Sequence, residues 1–67
     1  MDEAWTITRG RGSGEVRRNG ETVATITMTP GHMFRWELVD HPEATDTVSL
    51  RETAAKAARE AWKARNR

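Results

Sequence analysis

Residues 21–39 alternate between apolar and polar side chains on both sides of a Pro30–Gly31 pair, and this alternation constrains the fold more than any other feature of the chain. A period of two is the pattern of a β-strand with one buried face. Proline followed by glycine is a strong turn signal. The segment is therefore predicted to form a β-hairpin. Its regularly spaced apolar side chains are Ala24, Ile26, Met28, Phe34, Trp36 and Leu38.

The length of each turn follows from which face those side chains must share. A slip of one residue in pairing moves every side chain of a strand to the opposite face of the sheet. An odd loop over residues 30–32 opposes Met28 to Phe34 and collects all six apolar side chains on one face. A two-residue loop would separate them, so the odd loop is predicted.

The same argument applies to the Asn19–Gly20 pair, which is a strong hairpin signal. A three-residue loop over residues 18–20, with its glycine in the left-handed conformation, pairs Arg17 with Glu21. Val16 then shares a face with the six apolar residues. We therefore predict a three-residue loop with a glycine bulge at this turn.

The N-terminal segment predicts a further hairpin. Residues 4–9 alternate, with Trp5 and Ile7 on one face, and three glycines follow within five residues. A loop over residues 10–13 would place Val16 on the face of Trp5 and Ile7. This strand is expected to extend the same core.

The C-terminal third predicts a loop followed by a helix. Residues 40–47 are polar and are expected to form a loop. Ser49 and Glu52 have the spacing of a capping box, and residues 50–65 are rich in strong helix formers. The apolar positions expected to face the sheet are Leu50, Ala54, Ala57, Ala58 and Ala61.

These elements define an α+β fold: a four-stranded antiparallel meander sheet (ββββ) with one C-terminal α-helix packed on one face, in a single domain over residues 1–67. The opposite face of the sheet has no second layer to cover it and must meet water or a partner. Its predicted members are Thr6, Thr8, Glu15, Arg17, Val23, Thr25, Thr27, Met33, Arg35, Glu37 and Val39.

Composition narrows the class of protein. The chain has 67 residues, no cysteine and a net charge of +1, so neither disulfides nor a thiolate metal site can stabilise the small core. No apolar run approaches the roughly 20 residues of a membrane span, and the first residues do not resemble a signal peptide. A cytoplasmic location is expected. Charge is uneven: residues 21–48 sum to −4 and residues 49–67 to +4.

No residue pattern in the chain predicts catalysis. His32 and His41 lack the spacing of metal ligands and are interpreted as surface turn histidines. The glycines at 10, 12 and 14 lack the following helix that a phosphate loop requires. The chain is therefore expected not to be an enzyme and to have no metal or cofactor site.

The leading functional hypothesis is a small binding protein that docks on a protein partner, a type common among bacterial and phage accessory proteins. The open sheet face would supply the contact, or the helix face ending in Trp62, since an exposed tryptophan is a frequent interface anchor. The predicted partner-binding residues are Val23, Met33, Arg35, Val39 and Trp62.

Two alternatives stay open. A nucleic-acid-binding protein would use the basic helix and the arginines of the sheet and turns to contact phosphates; its residues would be Arg9, Arg11, Arg17, Arg18, Arg59 and Lys63. A structural homodimer would instead bury an apolar patch formed where Val23 and Val39 oppose one another.

Overall fold

The computed structural model describes residues 3–66 and contains one antiparallel sheet with one helix packed on it. The five strands follow one another in the order β1-β2-β3-β4-β5, so the sheet is a simple meander. The predicted α+β meander with a C-terminal helix is confirmed, and the structure adds a fifth strand. The elements are β1 Trp5–Gly10, β2 Ser13–Arg18, β3 Glu21–Met28, β4 Phe34–Leu38, β5 Thr45–Val48 and α1 Arg51–Arg65.

The central hairpin, β3 and β4, has the predicted register. Ala24 lies opposite Leu38, Ile26 opposite Trp36, and Met28 opposite Phe34. The Thr29 N–H donates to the Met33 carbonyl at 2.8 Å and closes the odd loop. The large apolar side chains therefore share the helix-facing side, as the alternation required.

The turn between β2 and β3 differs from the prediction. It has two residues, Asn19 and Gly20, with φ of 52° and 85°, which is the conformation that a tight hairpin with an Asn-Gly pair favours. Val16 still lies opposite Ala24, because the register shifts by one residue immediately beyond Val16. The β-bulge thus puts Val16 on the same face as Ala24, which is the arrangement that the three-residue loop was predicted to give.

The bulge also overturns the prediction for Val23, which is the extra residue on β3. Two residues of a bulged strand oppose one residue of the partner strand, so strict alternation fails there. Val23 is 7% exposed and belongs to the core cluster together with Ala24. It does not lie on the open face.

Residues 40–47 are not wholly a loop, because Thr45–Val48 form β5 against β4. Val48 lies opposite Phe34 and Asp46 lies opposite Trp36 on the helix-facing side. With only one apolar side chain, this edge strand shows no alternation in the sequence. Its β-branched threonines favour the extended conformation.

The helix begins one residue later than the capping-box prediction requires. Leu50 is its N-cap and makes no side-chain capping bond. Glu52 consequently falls at the second helical position and not at the third, where it could bond back to a serine N-cap. Leu50 is 60% exposed and does not join the core. Helix α1 is also too short and too polar to cross a membrane, and no other helix occurs in residues 3–66.

The core lies between α1 and strands β2 to β5. Val16, Ile26 and Leu38 are fully buried, and Ala54 and Ala58 bring the helix close to them. Alanines on the helix and large side chains on the sheet give complementary packing. The helix contacts β4 most and β1 least. Much of β1 is therefore not covered by the helix.

Candidate functional site

The margin between β1 and α1 forms an open groove of about 240 Å³, called here the β1–α1 groove. Trp5, Ile7 and Val16 form its floor on the sheet side. Its helix side is formed by Glu52, Ala55, Lys56 and Arg59. Ile7 is 49% exposed, although a β-branched apolar residue on the helix-facing side of a sheet is normally covered.

Helix periodicity places a row of cations along this groove. Lys56, Arg59 and Lys63 are separated by three and four residues, which puts them on one side of α1. None of the three makes an ion pair with a carboxylate within residues 3–66. The Nε of Arg59 is buried without a hydrogen-bond partner in the same part of the chain. The groove thus has an apolar floor and a rim on which three cations outnumber the one lining carboxylate, that of Glu52.

Trp5 and Trp62 meet at one end of the groove. Their ring centroids lie 5.6 Å apart at 78°, an edge-to-face arrangement that aromatic pairs favour. The Arg18 guanidinium lies 4.9 Å from the Trp62 centroid. Arg59 and Lys63 each lie 5.9 Å from the Trp5 centroid. We call these residues with Glu3 the Trp5–Trp62 cluster.

The Glu3 carboxylate organises the outer edge of this cluster. Its Oε2 accepts a hydrogen bond from Trp5 Nε1 at 3.0 Å, and its Oε1 accepts one from Arg18 Nε at 2.8 Å. Both bonds favour the ionised carboxylate. The Trp5 hydrogen bond, followed by that of Arg18, holds the pKa of Glu3 below its ordinary value of 4.5. The hydrogen bond to Glu3 thereby orients the indole ring of Trp5.

The predicted partner-binding residues do not form one surface. Val23 is buried, and Met33 and Val39 are 37% and 49% exposed at opposite ends of β4. Six residues of extended chain separate these two by roughly 20 Å. Arg35 lies on the open face, where its Nε donates to Thr45 Oγ1 at 3.1 Å. Trp62 packs against Trp5 and is only partly exposed.

The residues of the nucleic-acid alternative are likewise divided. The fold brings Arg18, Arg59 and Lys63 together around the Trp5–Trp62 cluster. Arg17 lies on the opposite face of the sheet, paired with Glu15 at 2.6 Å. The remaining two lie toward the other end of β1: Arg9 is exposed on the strand and Arg11 is in its turn.

The open sheet face is polar and electrically balanced. Glu15 is paired with Arg17, and Glu37 with Arg35 at 3.4 Å. Neutral hydroxyl groups occupy most of its other positions, so this face has little apolar area to offer a partner. The threonines that the strand register places on it are Thr6, Thr8, Thr22, Thr25, Thr27, Thr45 and Thr47.

The histidines lie away from the groove. His32 is exposed in the β3–β4 loop with φ of 60°, and His41 Nδ1 lies 3.4 Å from Glu43 Oε2. No cluster of three or more histidine, cysteine, aspartate or glutamate side chains that could hold a metal ion occurs within residues 3–66.

Sequence reasoning missed the groove, because it placed Ile7 in the core and did not single out Lys56. The widths of the helix and the sheet could have indicated the groove. A helix about 10 Å across spans roughly two to three strands spaced about 4.8 Å apart, so one helix leaves part of a wider sheet uncovered. No family model, curated protein or solved structure matches the chain.

Proposed function

We propose that this chain is a non-enzymatic docking module whose β1–α1 groove binds an acidic segment of a partner protein. The observation that carries the proposal is the exposed Ile7 on the groove floor beside Lys56, Arg59 and Lys63, which have no carboxylate partner in residues 3–66. An apolar floor with a charged rim is the usual anatomy of a protein interface.

The floor and the rim contribute different terms to binding. Covering Ile7 and the exposed part of Trp5 removes apolar area from water, which supplies affinity. The cations of the rim attract carboxylates and raise the association rate, and they disfavour basic partners. An acidic segment with apolar side chains satisfies both parts of the groove.

The geometry favours a protein partner over a nucleic acid. Binding of single strands depends on aromatic faces on which bases can stack. Here cations already lie over both rings of the Trp5–Trp62 cluster, with Arg18 over Trp62 and Arg59 over Trp5. The open sheet face offers phosphates no net positive charge, because Arg17 and Arg35 are each paired with a glutamate.

Selection of peptides from a random 12-residue display library on the immobilised protein tests the proposal. We expect the selected peptides to be enriched in carboxylates and apolar residues. Lys56→Glu should weaken the binding of a selected peptide by about ten-fold, since one favourable charge contact worth on the order of 1 kcal/mol becomes repulsive. Fluorescence titration of the labelled peptide measures this change.

Arg65→Glu is the matched control, because it makes the same change of net charge on the same helix two residues beyond the rim at Lys63. It should alter affinity less than two-fold. Equal losses in both variants would contradict the proposal, as would peptides without acidic enrichment. Binding to duplex or single-stranded DNA that weakens steeply with salt, in place of peptide binding, would favour the nucleic-acid alternative.

A further inference from the structure

We infer that the docked segment binds as a sixth strand hydrogen-bonded to the outer edge of β1, an inference that rests on the proposed function of the β1–α1 groove. β1 is the first strand in the sheet order, and only β2 pairs with it within residues 3–66. Adding a strand to such an edge gives affinity through main-chain hydrogen bonds and specificity through alternate side chains.

The phase of hydrogen bonding along β1 identifies the groups that the segment would bind. The Ala4 carbonyl accepts from the Asn19 N–H at 2.8 Å, and the Ala4 N–H donates to Asn19 Oδ1 at 3.0 Å. Main-chain groups of an antiparallel strand point alternately to either side. The N–H and C=O groups of Thr6 and Thr8 therefore point toward β2, like those of Ala4. The N–H and C=O groups of Trp5, Ile7 and Arg9 point outward.

The two edges of the sheet are not equivalent. β5 has four residues with Asp46 near its middle, and short length and charge are devices that discourage strand addition. β1 has six residues, no proline and no charged side chain before Arg9. The edge beside the groove is therefore the one that lacks protection.

The groove and an added strand have matching dimensions. The helical residues that line the groove, from Glu52 to Arg59, span about 10 Å, which is the length of about three extended residues. Alternate side chains of the added strand would lie on the helix side, opposite Trp5, Ile7 and Arg9. The structure thus assigns an apolar residue opposite Ile7 and, two positions along, a carboxylate opposite Trp5, near Arg59 and Lys63. No carboxylate is assigned opposite Arg9, because Glu52 lies beside that residue.

Substitution of Ile7 separates main-chain binding from side-chain binding. Ile7→Thr keeps the outward N–H and removes apolar area, whereas Ile7→Pro also removes the N–H. The Ile7 N–H is not bonded to β2, so proline at this edge position is compatible with the β1–β2 ladder. We expect Ile7→Pro to bind a library-selected acidic peptide about ten-fold more weakly than Ile7→Thr. Equal affinities of the two variants would overturn the inference.

A backbone scan of the peptide gives a second test that leaves the protein unchanged. Ester bonds replace the amides of the selected peptide one position at a time, which removes one N–H each. Strand addition predicts that losses of several-fold alternate with negligible losses. A flat profile would overturn strand addition, even where Ile7→Pro has failed to fold.

The outcomes distinguish the inference from the proposed function. Lys56→Glu weakens peptide binding in either case; only strand addition also predicts the proline effect and the alternating ester profile. Another strand that could pair with the β1 edge is one from a second copy of this chain. Sedimentation of the wild-type protein tests whether such a dimer forms. A dimer that Ile7→Pro dissociates and that the peptide does not displace would show that a second copy pairs with β1, and would overturn the inference.

Discussion

Leu38→Ala is expected to lower the free energy of unfolding by about 3 kcal/mol, the middle of the range for removing a buried leucine side chain. Leu38 is 1% exposed and lies opposite Ala24 in the layer beneath α1. A chain of 67 residues has a total stability of about 3–10 kcal/mol at the usual value per residue. The substitution is therefore expected to remove at least about a third of the total stability.

Urea denaturation followed by tryptophan fluorescence measures this change, and Leu50→Ala is its control. The control makes the same chemical substitution at a leucine that is 60% exposed at the N-cap of α1. Neither leucine nor alanine is a favourable N-cap, so we expect a change within about 0.5 kcal/mol. Equal effects of the two substitutions would show that Leu38 is not the buried member of the pair.

Gly14→Ala is expected to destabilise the fold by about 2 kcal/mol, although it adds one methyl group. A Cβ at this buried position of β2 would lie 2.6 Å from the Thr8 carbonyl oxygen and 3.1 Å from Arg51 Nη1. The Thr8 oxygen belongs to the paired backbone of β1 and cannot move without disturbing the ladder. Overpacking of this kind typically costs about 1–3 kcal/mol.

Gly31→Ala is the matched control for this substitution. A Cβ at Gly31 would meet no atom within 4 Å, so the change in the free energy of unfolding should stay within about 0.5 kcal/mol or be slightly favourable. The urea midpoints of the two variants give the comparison. Similar midpoints would contradict the close approach of β1 to β2 at Gly14.

The central hairpin could be predicted from the sequence because its alternation is regular and six apolar side chains had to share one face. The turn at Asn19–Gly20 could not. An odd loop and a two-residue loop followed by a bulge place the same side chains on the same face, so the burial pattern does not distinguish them. The two kinds of turn differ in their effect only at Val23. This residue was predicted on the open face, but with the bulge it lies in the core.

The same limit explains the other differences. β5 pairs through its backbone with β4, and the single apolar side chain of Val48 leaves no pattern to read. The sequence placed Trp5 and Ile7 on the correct side of the sheet. It did not indicate how far α1 extends, so Ile7 was assigned to a core that ends at β2. The candidate groove arises from that missing coverage and not from a motif.

The position of Trp62 shows what a helical pattern can and cannot supply. The sequence predicted Trp62 as an exposed anchor at the end of the helix face, and the structure shows it only partly exposed. Its contact with Trp5 joins the helix end to the first strand across 57 residues of sequence. Local patterns carry no information about such a contact, because it depends on how the helix crosses the sheet.

Amide hydrogen exchange of β1 in the free protein and in its complex with a library-selected acidic peptide tests the open edge most directly. In the free protein, the Thr6 and Thr8 amides should be protected by β2, and the Ile7 and Arg9 amides should exchange rapidly. The peptide should then protect Ile7 and Arg9 and leave Thr6 and Thr8 little changed. An Ile7 amide already as protected as that of Thr8 in the free monomer, or one unaffected by bound peptide, would contradict docking at this edge.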